Sequence, residues 1–141
     1  MNARSEPKPP AKWLDLLRSS GQWERLVEMA KRSLAVDPHD PDTHRHLAWA
    51  YVNVNRFEEM APHVEFLLRS EPDSELNHHL AAVYALEMRD FPKAQEHLDF
   101  LLAQSPRGAT FHYLASVLAL RTGERCEARE SIRRARQMAP D

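Results

Sequence analysis

Eight histidines are the side chains of this 141-residue sequence best suited to binding a metal ion or to changing charge near neutral pH. His44, His78 and His112 follow one another at intervals of 34 residues, and His63 and His97 share the same interval. If one interval is one structural repeat, equivalent histidines lie about one helix diameter apart, ~10 Å. Zinc binds nitrogen at ~2.0–2.1 Å, so equivalent histidines cannot share an ion. The spacing therefore predicts no metal site and favours half-buried aromatic substitutes with one ring nitrogen hydrogen-bonded.

The other reactive side chains form no catalytic pattern. Cys126 is the single cysteine, which excludes an internal disulfide and every multi-cysteine metal motif. Glu124, Glu127 and Glu130 interleave with the arginines of the last predicted helix, so a solvated outer face is favoured there over a nucleic-acid site. Those arginines recur at helical spacing at Arg125, Arg129, Arg133 and Arg136. The sequence contains neither a phosphate-cradling glycine loop nor a nucleophile elbow. We therefore predict no enzymatic activity, no catalytic residue and no cofactor.

A period of 34 residues runs through the chain well beyond the histidines. The further series at this interval are Pro38, Pro72, Pro106 and Pro140; Gly21, Asn55, Arg89 and Gly123; and Trp23, Phe57, Phe91 and Arg125. Self-similarity at this period is typical of stacked helical hairpins. The apolar spacing and the prolines predict two helices per repeat, over residues 11–20, 22–36, 42–54, 57–70, 74–88, 91–104, 109–121 and 124–138.

The repeat resembles the tetratricopeptide repeat, whose pattern places a large aromatic, a leucine, a small residue and an aromatic in the first helix and an alanine, an aromatic and a proline in the second. In residues 41–74 the matching positions hold His44, Leu47, Ala48, Tyr51, Met60, Val64 and Pro72. The main departure is histidine in place of the leading aromatic. The resemblance implies an all-α fold, a right-handed solenoid of about four stacked 34-residue helix-turn-helix repeats. These span residues 7–40, 41–74, 75–108 and 109–141; residues 11–141 form the repeat domain, and proline-rich residues 1–10 form a flexible tail.

The register of the repeat also predicts which side chains are buried. Leu68 and Leu102 hold equivalent positions in the second helices, and we expect them to be buried between successive repeats. In the first helix of the third repeat, the expected inward set is His78, Ala81, Ala82 and Ala85.

Composition limits the partners and the compartment. The net charge of −2 and the isoelectric point near 6.4 provide no electrostatic footprint for nucleic acid or an anionic membrane. No apolar run approaches the ~20 residues needed to cross a bilayer, and the N-terminus lacks the apolar segment of a signal peptide. We therefore expect a cytoplasmic protein whose partners are proteins or peptides, without nucleic-acid binding or membrane insertion.

A second stripe on the first helices is the candidate binding surface. The first helices of the third and fourth repeats contain no Asp, Glu, Lys or Arg over residues 76–86 and 109–120, so they carry more apolar surface than one buried stripe needs. In the tetratricopeptide family the first helices line a concave surface where peptides bind. The resemblance therefore implies a groove lined by Arg45, Trp49, Val52, Asn53, His79, Val83, Leu86, Glu87, Tyr113, Val117, Leu120 and Arg121.

The residue types in this groove favour an apolar or amphipathic peptide. Some members of the family hold a terminal carboxylate with Lys, Arg and Asn, and others hold peptide backbone with an asparagine ladder, but Leu80 and Leu114 stand at matching positions here. We therefore predict a non-enzymatic interaction scaffold. One alternative is a self-associating unit that buries this surface in a homo-oligomer. Another is the N-terminal regulatory region of a larger enzyme or secretion-assembly protein, and Pro140, which keeps the register, suggests a chain that continues past Asp141.

Overall fold

The computed structural model describes residues 7–138, and within this range the regular structure is helical. Eight α-helices follow one another: α1 Ala11–Ser19, α2 Trp23–Val36, α3 Pro41–Asn53, α4 Ala61–Ser70, α5 Glu75–Glu87, α6 Phe91–Gln104, α7 Ala109–Thr122 and α8 Arg125–Met138. The predicted helix boundaries are confirmed to within one residue, with one exception before α4. In the part of the chain that the structure describes, no helix is both long enough and apolar enough to span a membrane.

The exception is Phe57–Met60, which forms a 3₁₀ turn where the sequence predicts the first turn of an α-helix. Pro62, in the first turn of α4, explains the difference. Proline has no N–H to donate to the carbonyl four residues earlier, and its ring clashes with that carbonyl. The chain therefore cannot continue one α-helix from Phe57 through Pro62.

The turn inside each repeat uses one backbone conformation, repeated four times. Its residues have a positive φ, which L side chains rarely adopt: Gly21 at 71°, Asn55 at 58°, Arg89 at 61° and Gly123 at 85°. After each of them the next N–H donates to the carbonyl five residues earlier, as Arg56 does to Tyr51 at 2.9 Å and Glu124 to Ala119 at 2.7 Å. This is the Schellman pattern that ends a helix. The series of Gly21, Asn55, Arg89 and Gly123 therefore marks the residue that ends the first helix of every repeat.

The first compact unit, Met1–Pro72, holds α1 to α4. Here α2 packs against both α1 and α3, and α3 packs against α4. Its large, fully buried side chains are Leu26, Leu47, Met60 and Leu67. Residues 1–6 of the predicted flexible tail lie outside the described residues. In the rest of that segment Pro9 is buried, and the Lys8 ammonium lies 3.3 Å from Asp37 and 3.2 Å from Asp40.

The second compact unit, Asp73–Asp141, holds α5 to α8. Each helix packs against the next along the chain, and α5 also touches α7. Three helices supply its buried cluster, whose large members are Leu86, Leu98, Leu101 and Leu118. Among the described residues of α8 only Ala128 is buried, so this helix leaves most of its surface to solvent. Burying each large aliphatic side chain contributes roughly 1.5–3 kcal/mol to folding.

The prediction for Leu68 and Leu102 is wrong, because both are only half-buried. Their neighbours Leu67 and Leu101 are fully buried instead. In α6 the buried face consists of Ala94, Leu98 and Leu101, at the i, i+4, i+7 spacing of a helix. Consecutive residues point about 100° apart, so a register error of one residue rotates the leucine off this face.

Candidate peptide-binding wall

We call the residues predicted to line the groove the wall. In the first unit, the wall residues lie on α3 and are mostly half-buried. Arg45, Trp49 and Val52 are of this kind, whereas Asn53 is exposed. The Asn53 amide donates to the Trp49 carbonyl at 2.8 Å, so it folds back on its own helix. The four residues thus form a surface of modest exposure.

Arg45 is already engaged by acidic side chains. Its guanidinium pairs with Asp42 and donates to the Glu71 carboxylate at 2.6 Å. Burial alone would lower the pKa of Arg45, but the hydrogen bonds and charges of Asp42 and Glu71 outweigh burial and raise it. This polar point of the wall is therefore neutralised from within the protein, and it does not resemble an open anion site.

The α5 residues divide between the wall and the core. Val83 and Glu87 are half-buried, and so is His79, whose ring meets Phe111 edge-on at 5.7 Å. Burial lowers the pKa of His79, which favours the neutral ring. Leu86 is 3% exposed and belongs to the buried cluster, so the structure assigns it to the core rather than to an open wall. The reason is that its position on α5 faces the helices packed against it.

Among the described residues of the second unit, the two most exposed large apolar side chains lie on α7. Tyr113 is 60% exposed and Leu120 is 56% exposed, and half-buried Val117 lies between them on the same helix face. Beside this stripe, Arg121 donates to the Leu86 carbonyl at 3.0 Å and pairs with the Glu87 carboxylate at 3.2 Å. That ion pair joins α5 to α7 and leaves an uncharged stripe on α7.

Two histidine pairs are the feature that sequence reasoning missed. The Nδ1 atoms of His44 and His63 lie 2.9 Å apart, and those of His78 and His97 lie 3.0 Å apart. A phenylalanine stacks on the first ring of each pair, with Phe66 4.0 Å from His44 and Phe100 3.8 Å from His78 between ring centroids. The sequence contained a signal for these pairs, because the His44 and His63 series share the 34-residue period and keep a constant offset of 19 residues.

The backbone determines which ring donates in the first pair. His44 Nε2 lies 2.8 Å from the Pro38 carbonyl, which can only accept, so His44 carries its proton on Nε2 and presents a lone pair on Nδ1. His63 must therefore donate from Nδ1. Burial, followed by the charges of His44 and Lys31, lowers the pKa of His63 to about 4. The predicted half-buried, hydrogen-bonded rings are found at His63, His78 and His97, whereas His44 is buried and both of its ring nitrogens are engaged.

The pairs bring together two possible metal ligands each and no third. Among residues 7–138, no group of three or more His, Cys, Asp or Glu side chains is placed to hold a metal ion. Burial, and then the charge of His78, also lowers the pKa of His97, so His63 and His97 both favour the neutral imidazole. Each pair is a partly buried hydrogen bond between the two helices of a repeat.

Comparison with known proteins agrees with this architecture. Residues 79–141 match the family model described as tetratricopeptide repeat. The predicted tetratricopeptide-repeat resemblance is confirmed. No curated protein matches the chain by sequence.

Several solved tetratricopeptide-repeat and related structures share the fold. MamA residues 41 to the end from Desulfovibrio magneticus RS-1 is similar with a TM-score of 0.83 and 14% identity, over 96% of this chain and 76% of that one. TTC0263, a thermophilic TPR protein of Thermus thermophilus, has a TM-score of 0.80 and 18% identity, over 93% and 73% of the two chains. MamA of MSR-1 has a TM-score of 0.78 and 18% identity, over 98% and 80%. The predicted fold class, an all-α solenoid of helical repeats, is confirmed; at these identities the likeness concerns the fold alone.

Proposed function

We propose that this chain is a non-enzymatic interaction module that binds an apolar or amphipathic peptide segment along its first helices. The observation that carries the proposal is the stripe of Tyr113, Val117 and Leu120 on α7. Two of its three side chains are more than half exposed, on a helix with no charged residue from Ala109 to Leu120. Exposed apolar surface of this kind marks interaction sites, and a tyrosine is a common anchor in them.

The polar residues around the wall favour an apolar contact over a charged one. Arg45 is paired with Glu71, and Arg121 is paired with Glu87. A partner that relied on these arginines would first have to break pairs that the protein already makes. Burying apolar partner surface yields about 25 cal/mol per Å², less the cost of ordering the peptide. We therefore place the binding energy in apolar side chains of the partner, with Tyr113 as the aromatic anchor of the second unit.

The test is selection of peptides from a random library of about 15 residues, followed by calorimetry. We expect the selected peptides to carry apolar residues at helical or alternating spacing. The double substitution Tyr113→Ser/Leu120→Ser should weaken their binding by at least about tenfold, because the exposed stripe supplies the contact area. Far-UV circular dichroism should be unchanged, since both side chains point to solvent.

The matched control is Val36→Ser, which removes a 50% exposed apolar side chain from the end of a second helix. Binding to this variant should equal that of the wild type. The proposal fails if the selected peptides lack apolar preference, or if they bind the Tyr113→Ser/Leu120→Ser variant as tightly as the wild type.

A further inference from the structure

Helix α8 separates charges that alternate in its sequence. At about 100° per residue, Arg125, Arg129, Arg133 and Arg136 fall within an arc of about 80°, which we call the arginine stripe. All four side chains are exposed. Glu127 and Glu130 of the same helix, together with Glu124 just before it, instead line a cleft on another side. The two charged surfaces therefore point in different directions.

The cleft lies within the second unit, between α6, α7 and α8, and has a volume of about 600 Å³. Its apolar lining comes from Phe91, Ala115, Leu118 and Ala119. Glu124, Glu127 and Glu130 line its α8 side together with Ser131 and Arg134. We call this the acidic cleft. Its chemistry, an apolar lining beside carboxylates, suits a long cationic side chain that rests its aliphatic stem on the apolar part.

The charges of the acidic cleft are only partly balanced. Glu130 pairs with Arg133 at 2.8 Å and with Arg134 at 3.3 Å. Glu124 and Glu127 instead lie against each other, and the hydrogen bond and repulsion from Glu127 raise the pKa of Glu124. Two carboxylates held together in this way gain from a nearby cation.

The arginine stripe carries positive charge that nearby carboxylates balance only in part. Arg133 is paired with Glu130, but no ion pair joins Arg125, Arg129 or Arg136 to a carboxylate among the residues that the structure describes. Arg125 and Arg129 lie on a different side of α8 from Glu124 and Glu127, and no ion pair joins these four side chains within the described part of the molecule. They can meet between two molecules.

We propose that the arginine stripe of one copy docks into the acidic cleft of a second copy, so that the chain self-associates head to tail through α8. Arg125 and Arg129 then meet the carboxylates of Glu124 and Glu127, in the fork geometry that arginine and carboxylate share. The contact joins two different surfaces, so it is heterologous. In a pair, one copy keeps a free acidic cleft and the other keeps a free arginine stripe. The contact goes beyond the proposed peptide binding, since it uses none of the wall residues. The formal net charge of −2 leaves little general repulsion between copies.

The experiment uses two neutralising variants and sedimentation velocity. The stripe variant is Arg125→Gln/Arg129→Gln, and the cleft variant is Glu124→Gln/Glu127→Gln. At about 10 mM salt, where the screening length is ~30 Å, the wild type should form species that grow with concentration, and about 1 M salt should dissociate them. Each variant alone should remain monomeric. An equal mixture should form a dimer with one copy of each variant and stop there, because one variant keeps an intact stripe and the other keeps an intact cleft.

The control variant, Lys93→Gln/Arg107→Gln, also removes two exposed cations from the second unit and should associate like the wild type. All substituted side chains are exposed, and matching thermal melts verify that each variant folds. A wild type that stays monomeric at low salt overturns the proposal. So does a stripe or cleft variant that associates normally, or a mixture that remains monomeric. None of these results bears on peptide binding by the wall, which is measured separately.

Discussion

Acidification from about pH 7 to pH 5 is expected to destabilise the protein through His63 and His97, one half-buried ring from each imidazole pair. In the first pair, His63 donates to a lone pair on His44, and Lys31 adds positive charge nearby. In the second pair, His97 faces His78, with Lys93 opposing and Glu96 favouring its protonation. An added proton therefore meets burial and a like charge in the folded state and neither of them in the unfolded chain.

The sign and the window of the effect follow from the folded-state pKa. His63 has a pKa of about 4 when folded and 6.5 when unfolded, so the unfolded chain binds more protons between these values. Stability is therefore complete above pH 6.5 and is lost as the pH falls towards 4. The full shift corresponds to roughly 3.4 kcal/mol, of which about 1.8 kcal/mol is lost between pH 7 and pH 5. Because His63 is partly exposed, solvent screening reduces this loss to about 1 kcal/mol.

Urea unfolding at a series of pH values measures the effect, and His63→Asn isolates it. Asparagine keeps an N–H donor for His44 but does not titrate. We expect the wild type to lose about 1 kcal/mol more than His63→Asn between pH 7 and pH 5. Exposed His39, changed to Asn, is the matched control and should leave the pH dependence unaltered. Equal pH dependence in the wild type and His63→Asn would refute the reasoning, as would an NMR titration midpoint for His63 at or above the unperturbed value of about 6.5.

Three further predictions concern stability. Leu101→Ala should lower the free energy of unfolding by roughly 2–5 kcal/mol, whereas Leu102→Ala should cost about 1 kcal/mol or less, because only Leu101 is fully buried. Equal losses in urea titrations would contradict the buried face of α6. Gly123→Ala should cost about 1 kcal/mol, since its φ of 85° is unfavourable for a side chain although an added Cβ meets no atom within 4 Å. Arg89→Gly at the equivalent turn should raise the unfolding temperature by relieving the same strain, and a lowered temperature would argue against that strain.

The sequence by itself determined the repeat, the helices and the turns between them, because these depend on short-range geometry. A proline stops a helix through its own missing N–H, and a positive φ is a property of one residue and its neighbours. This is why the series from Gly21 to Gly123 could be read as one structural position before any packing was known. It is also why the single boundary error, at Phe57–Met60, traces to a local cause in Pro62.

Only the tertiary structure decided which side chains meet. Leu101 and Leu102 are equally apolar, and the direction of the neighbouring helices selects Leu101 for the core. Leu86 is buried in the core and not exposed on the wall for the same reason. The pairing of His44 with His63 depends on two helices aligning side by side, which spacing along the chain does not specify. On α8 the alternating charges look balanced in sequence, and they separate because the helix turns about 100° per residue while a cleft forms on only one of its sides.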